Sequence, residues 1–179
     1  MIKIISKEII SKGKFSSYMA TRFLDQNGNE RRWEWFSKKD VAVILPITKD
    51  GNIVCISNYR IPIEAKVIEL PAGLVDSSSS LEQIKKELLE ETGYACEKIT
   101  QLGRFPMNAG MTNNFVTYYV GTDTSLSQDG QHLEESEDID VKIMPPKELE
   151  NLRDDKNIIV DPGIFSLIYL AQSNGYLKK

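Results

Sequence analysis

Apolar residues along this chain come mostly in short runs or in alternation with polar ones, the period of strands. Val41 to Ile47 is almost wholly apolar and predicts a buried strand, which Asp50-Gly51-Asn52 turns into a second strand from Ile53 to Tyr59. Further strands are predicted from Val67 to Leu70 and from Phe115 to Gly121. Within residues 1–40, Asn27-Gly28 inside Asp25-Gln26-Asn27-Gly28-Asn29 predicts the turn of an antiparallel strand pair. The pattern changes period between Leu81 and Thr92, where Leu81, Ile84 and Leu88 form one helical stripe. Ser79 and Glu82 have capping-box spacing ahead of this helix, and Gly93 stops it. A second helix is predicted from Gly163 to Ser173 and a shorter one from Pro146 to Leu152. Residues 124–138 are polar and acidic and read as a loop. Ser77-Ser78-Ser79-Ser80 is the one low-complexity stretch, too short for a linker. The fold class is therefore mixed α/β, with residues 1–179 as one domain, 1–40 as an N-terminal antiparallel strand extension and 41–179 as the core.

Composition narrows the partners. A net charge of −4 argues against general affinity for nucleic acid or an anionic membrane. Two cysteines, Cys55 and Cys96, make no disulfide scaffold and predict a reducing compartment. One histidine, His132, excludes a multi-histidine metal site within the chain, and any Ser-His-Asp triad would have to use it. No apolar run approaches the roughly 20 residues of a membrane span. The first residues lack the apolar core of a signal peptide, so the expected location is the cytoplasm.

The candidate chemistry sits in Glu69-Leu70-Pro71-Ala72-Gly73-Leu74-Val75-Asp76 and in Lys86-Glu87-Leu88-Leu89-Glu90-Glu91-Thr92-Gly93-Tyr94. A strand enters a tight Pro-Ala-Gly turn, and a helix brings Glu87, Glu90 and Glu91 to one surface, since residues three and four apart are neighbours. Such a face is ordinarily just solvated. Clustered carboxylates beside an exposed carbonyl also suit a hard cation such as Mg²⁺, which takes oxygen ligands and bridges carboxylates to phosphates.

This block resembles the Nudix box, G-x5-E-x7-R-E-U-x-E-E-x-G-U, where U is a bulky apolar residue. Gly73, Glu87, Leu88, Glu90, Glu91, Gly93 and Tyr94 supply the match. Lys86 replaces the usual Arg, Ser79 stands in place of the first Glu, and the interval from Gly73 to Lys86 is one residue short. Because the three helical Glu remain, an active enzyme is expected. Asn58-Tyr59-Arg60, Glu69-Leu70-Pro71-Ala72-Gly73 and Glu135-Ser136-Glu137 are similar to the ADP-ribose pyrophosphatase branch of that family.

The resemblance implies a Nudix fold, an α/β/α sandwich with a mixed sheet. It also implies hydrolysis of a nucleoside diphosphate sugar, most readily ADP-ribose to AMP and ribose 5-phosphate, with Mg²⁺ or Mn²⁺ as cofactor. GDP-mannose is the alternative substrate, and a degenerate domain that binds a nucleotide without cleaving it is the alternative of another class. Glu87, Glu91 and the Ala72 carbonyl are the implied metal ligands, with Glu90 as ligand or support. Glu135, then Glu137, is the implied residue that activates water. Phe15, Trp33 and Glu34 correspond to adenine-gripping positions, and Arg60 to a clamp on the diphosphate. Met107 and Gly110 belong to a loop at the place of a Ser-Pro-Gly substrate loop, in which Asn114 replaces an acidic residue. Trp35 and Cys55 are expected in packing roles, and His132 in the solvated loop. The implied assembly is a homodimer whose extension helps build the partner's nucleoside pocket.

Overall fold

A computed structural model describes residues 1–76, 79–135 and 137–178. Ser77 and Ser78 of the serine run, and Ser136 of the acidic loop, lie outside the described residues. The chain divides into two compact units: Met1–Val41 with Arg104–Val116, and Ala42–Gly103 with Thr117 onward. Residues 104–116, counted with the core in the sequence reading, thus group with the N-terminal strands.

The first unit is built on three antiparallel strands in the order β1 (Lys3–Lys12), β2 (Ser16–Leu24) and β3 (Glu30–Lys38). The expected strand pair is therefore a triplet. The β2–β3 turn is the anticipated one: Gly28 takes φ of 82°, and the Asp25 carboxylate accepts from the N–H groups of Asn27 and Asn29 at 2.9 Å. What hid β1 is its doublets Ile4-Ile5 and Ile9-Ile10, which break alternation. The structure reconciles them through register shifts between Ile4 and Ser6 and between Ile9 and Ser11, bulges that return later residues to the proper face.

The other sheet is mixed, and most of its residues belong to the second unit. Its strands are β4 (Val41–Thr48), β5 (Ile53–Arg60), β6 (Ala65–Glu69), β7 (Ala72–Leu74), β8 (Tyr94–Ala95), β9 (Lys98–Pro106), β10 (Phe115–Leu126), β11 (Ile139–Met144) and β12 (Ile159–Val160). The order is β12-β6-β5-β4-β10-β8, with β11 on β5, β7 on β4 and β9 on β10. β12 lies parallel to β6, whereas β5 is antiparallel to β6 and β11. The helices are α1 (Ser80–Thr92), α2 (Pro146–Asn151) and α3 (Gly163–Ser173). β9 and the extension of β10 to Leu126 go beyond the sequence reading.

Alternation along β4 explains the layers. Ala42 and Ile44 pack with Ile84 and Leu88 of α1, whereas Leu45 and Ile47 pack with Leu149 of α2 and with Ile164, Leu167 and Ile168 of α3. The sheet of this unit therefore has α1 on one face and α2 with α3 on the other. Cys55 is fully buried in the second cluster, in the packing role expected of it. No described helix is long and apolar enough to cross a membrane.

Candidate functional site

The carboxylate site forms where α1 meets the Pro71-Ala72-Gly73 turn. Ser79, in the place of the box's first Glu, caps α1 by accepting from the Glu82 N–H at 3.2 Å. Gly93 ends the helix with φ of 74°, its N–H donating to Leu89 O at 2.7 Å. Burial of Ile84 and Leu88 fixes the roll of α1 and turns Glu87 and Glu91 to the turn. Glu91 is only 5% exposed, and its Oε2 accepts from the Ala72 N–H at 3.0 Å. The turn is itself tied to β4, since Ile44 N–H donates to Pro71 O at 3.1 Å.

Gly73 admits the second carboxylate. A Cβ at this position would fall on the Glu87 carboxyl group. Glu87 also accepts from Gln83 Nε2 at 2.8 Å, and Glu90 pairs with Lys86 at 2.9 Å. Lys86, in the Arg position of the box, thus makes a one-point contact with a neighbouring carboxylate on its own helix. Gly73→Ala is expected to fold with little change in thermal midpoint, because a side-chain end can move aside. It should nevertheless lower kcat about 10-fold or more by displacing Glu87, as steady-state kinetics would read.

The electrostatics fit a cation. Burial pushes the Glu91 carboxyl up to about 8; the charges of Glu87 and Glu137 add to the rise, and the Ala72 N–H and Arg60 oppose it. Glu87 is also raised, first by burial and then by Glu90 and Glu137, against Gln83 and Lys86. Among the described residues, no three His, Cys, Asp or Glu side chains converge closely enough to hold an ion. Glu87, Glu90 and Glu91 each lean instead on Gln83, Lys86 and Ala72.

The loop after β10 is clamped to the end of α1. Ser127 N–H donates to Gly93 O at 2.8 Å, Gln131 Nε2 to Glu91 O at 2.7 Å and His132 N–H to Glu90 O at 2.9 Å. These bonds satisfy carbonyls that a helix end leaves open. At its far end Tyr59 N–H donates to Asp138 O at 3.2 Å, and Lys66 pairs with Asp138 at 3.1 Å and Asp140 at 2.7 Å. Between the clamps, Glu134 N–H donates to the Glu137 carboxylate at 2.9 Å. Glu135 is exposed on this turn. Glu137 is the loop carboxylate whose charge bears on both Glu87 and Glu91. Sequence reasoning missed Gln131 and the backbone role of His132; an unsatisfied helix end was the available signal.

Arg60 ends β5, and its guanidinium forks the Glu69 carboxylate, Nε lying 2.9 and 3.0 Å from the two oxygens. The Glu91 and Asp161 carboxylates also act on it.

In the first unit, Trp33 is 55% exposed, and its Nε1–H donates to Gly110 O at 3.1 Å. Trp35 Nε1–H donates to Thr21 Oγ1 at 2.8 Å. Both rings, with Ile4, Phe23, Gly110 and Asn113, line a groove of about 510 Å³. The loop 107–114 is laced to the end of β3: Phe36 N–H donates to Met111 O at 2.8 Å, Lys38 N–H to Asn113 Oδ1 at 3.0 Å and Asn114 Nδ2 to Lys39 O at 3.1 Å. Met107 is exposed in this loop.

The expected adenine grip is not assembled within one chain. Glu34 alternates with Trp33 along β3 and lies on the opposite face, where Tyr18 and Arg32 hold its carboxylate. Phe15 lies in the β1–β2 turn, whereas Trp33 pairs with Thr21. Six positions along β2 separate them, about 20 Å.

The family model of the NUDIX domain matches residues 37–162. The chain is similar to an ADP-ribose pyrophosphatase of Bacillus subtilis, at 25% identity over 94% of this chain and 91% of the relative. It is also similar to a GDP-mannose pyrophosphatase of Yersinia enterocolitica, at 27% identity over 99% of this chain and 98% of the relative. A solved ADP compounds hydrolase shares the fold with a TM-score of 0.83 and 20% identity, covering 98% of this chain and 97% of that one. The family match over residues 37–162, together with the box residues on α1 and its turn, places the chain in the Nudix family.

Proposed function

We propose that the protein hydrolyses the diphosphate of a nucleoside diphosphate sugar, with ADP-ribose giving AMP and ribose 5-phosphate, in the cytoplasm. The observation that carries this reading is the buried Glu91 beside Glu87 on the Ala72–Gly73 turn, with Arg60 acting on the same carboxylate. The names of the Bacillus and Yersinia relatives support the substrate class. Glu87, Glu91 and the Ala72 carbonyl would hold Mg²⁺ or Mn²⁺, with Glu90 in support. When bound, the cation supplies charge neutralisation to the diphosphate and makes a neighbouring water more acidic. Arg60 takes a diphosphate oxygen. Glu137, with Glu135 on the same turn, takes the proton as water oxygen bonds to phosphorus and the bridging P–O bond breaks.

The nucleoside end favours no base as it stands. Glu34 lies away from Trp33 and is already bonded, so it does not select adenine over guanine at that groove. GDP-mannose therefore stands as a second reading, in line with the Yersinia relative. A homodimer would resolve the separation of Phe15 and Trp33, with a second copy bringing its own aromatic to the groove. The exposed Ile2, Ile4 and Ile9 beside β2 suit such a contact. Turnover of ADP-ribose and GDP-mannose, followed by released phosphate monoester with Mg²⁺ present, tests the reading. Cleavage of neither sugar, despite binding, would assign the chain to nucleotide binding alone.

Trp33→Ala is expected to raise KM for the preferred sugar about 10-fold, in keeping with about 1–3 kcal/mol for a stacked base. kcat should change less, since the carboxylate site lies elsewhere in the sequence. An unchanged KM would remove Trp33 from the base site.

A further inference from the structure

Arg60 and Glu69 are not partners across the strands. In the β5–β6 register Arg60 faces Ala65, and Glu69 faces Ile56. They stand four positions apart, about 13 Å along the ladder, and on one face because the offset is even. An arginine at a strand end, next to the exposed Ile61 and Ile63, has water as its ordinary direction. Here the side chain runs backwards along the sheet, and Nε and Nη2 both bind Glu69. Glu69 is the buried end of the pair, its side chain 13% exposed against 47% for Arg60. The Nε–Nη2 edge is the one given to Glu69, and Nη1 lies on the other edge of the guanidinium. Glu69 is followed by Leu70-Pro71-Ala72, and the Ala72 N–H holds Glu91. The reach towards Glu69 therefore carries the cation towards that turn. The mutual influence of Arg60 and Glu91 agrees with this placement.

We propose that Glu69 is a positioning residue: it folds Arg60 back along β5 and β6, so that the guanidinium edge away from Glu69 stands beside the Ala72–Glu91 turn and meets a diphosphate there. The proposal rests on the diphosphate reading above. An ion pair with one end open to water contributes little to stability, so the function of this one lies in geometry.

The test is a double-mutant cycle of Glu69→Gln and Arg60→Ala, with Arg60→Lys as a variant that keeps the charge but loses the planar fork. Glu69→Gln is expected to raise KM for ADP-ribose about 10-fold, with kcat within about threefold. Arg60→Lys should reproduce that effect. In the Arg60→Ala background, Glu69→Gln should change KM no further. Calorimetry with ADP and AMP provides a second readout, because only ADP offers a diphosphate. Glu69→Gln should weaken ADP about 10-fold and leave AMP unchanged. Additive losses in the double mutant, or equal losses for ADP and AMP, would show that Glu69 serves folding alone and would overturn the proposal. If Glu69→Gln does not fold, Arg60→Lys decides: an unchanged ADP affinity refutes the fork. A wild-type protein that cleaves no nucleotide sugar sinks the functional reading, whereas the ADP and AMP affinities still decide the role of Glu69.

Discussion

Replacing Glu91 with Gln is expected to lower kcat by about 10²-fold or more, the scale on which loss of one electrostatic group in a closed site is felt. Glu91 is central because it is buried, touches the turn and feels both Glu87 and Glu137. The amide keeps the size and can still accept the Ala72 N–H, so the fold should survive. The effect on stability should run the other way. The folded-state carboxyl titrates near 8, above the ordinary 4.5, so the native state holds a proton that the unfolded chain has released. That contribution is fully present below about pH 4.5 and is lost as pH rises through about 8. Without metal, Glu91→Gln should therefore gain thermal midpoint relative to wild type at pH 9, but not at pH 4. Scanning calorimetry in chelator would read this. A variant with near-normal kcat would show that another carboxylate carries the site.

The parts of the fold legible in the sequence are those set by local rules. α1 was readable from its stripe and caps, and β4 from its apolar run, because both signals lie within a dozen residues. β1 was not separable because its isoleucine doublets need bulges, and a bulge shows only against a partner strand. β9 carries Lys98, Thr100, Gln101 and Arg104 among its few apolar residues and offers no clean period. In the site, Glu87, Glu91 and the Ala72 turn meet as the spacing implied. The clamp of Gln131 and His132 on α1 depends on a tertiary meeting and left no local pattern. The opposite placement of Trp33 and Glu34 was within reach, since the same period of two that paired Trp33 with Trp35 puts Glu34 on the other face.

Chelation is expected to abolish hydrolysis, and Mg²⁺ or Mn²⁺ to restore it. Glu87 and Glu91 lie against one turn, each raised by burial and by like-charged neighbours, and their partners Gln83 and Ala72 are neutral donors. Below about pH 8 Glu91 keeps its proton, which spares the pair the repulsion of two adjacent carboxylates. A divalent cation removes that repulsion but needs the deprotonated form. Below about pH 8 each cation bound at this site should therefore displace close to one proton from Glu91. The Mg²⁺ concentration for half-maximal rate should fall about tenfold per pH unit from 6 to 8 and level off above it. Glu91→Gln should flatten that dependence as well as slow the enzyme. Calorimetric titration of Mg²⁺ in two buffers of different ionisation enthalpy would count the proton directly. Full turnover in excess chelator would remove the metal from the reaction. A Mg²⁺ requirement that does not change between pH 6 and 8 would instead keep the metal and remove Glu91 from its ligands.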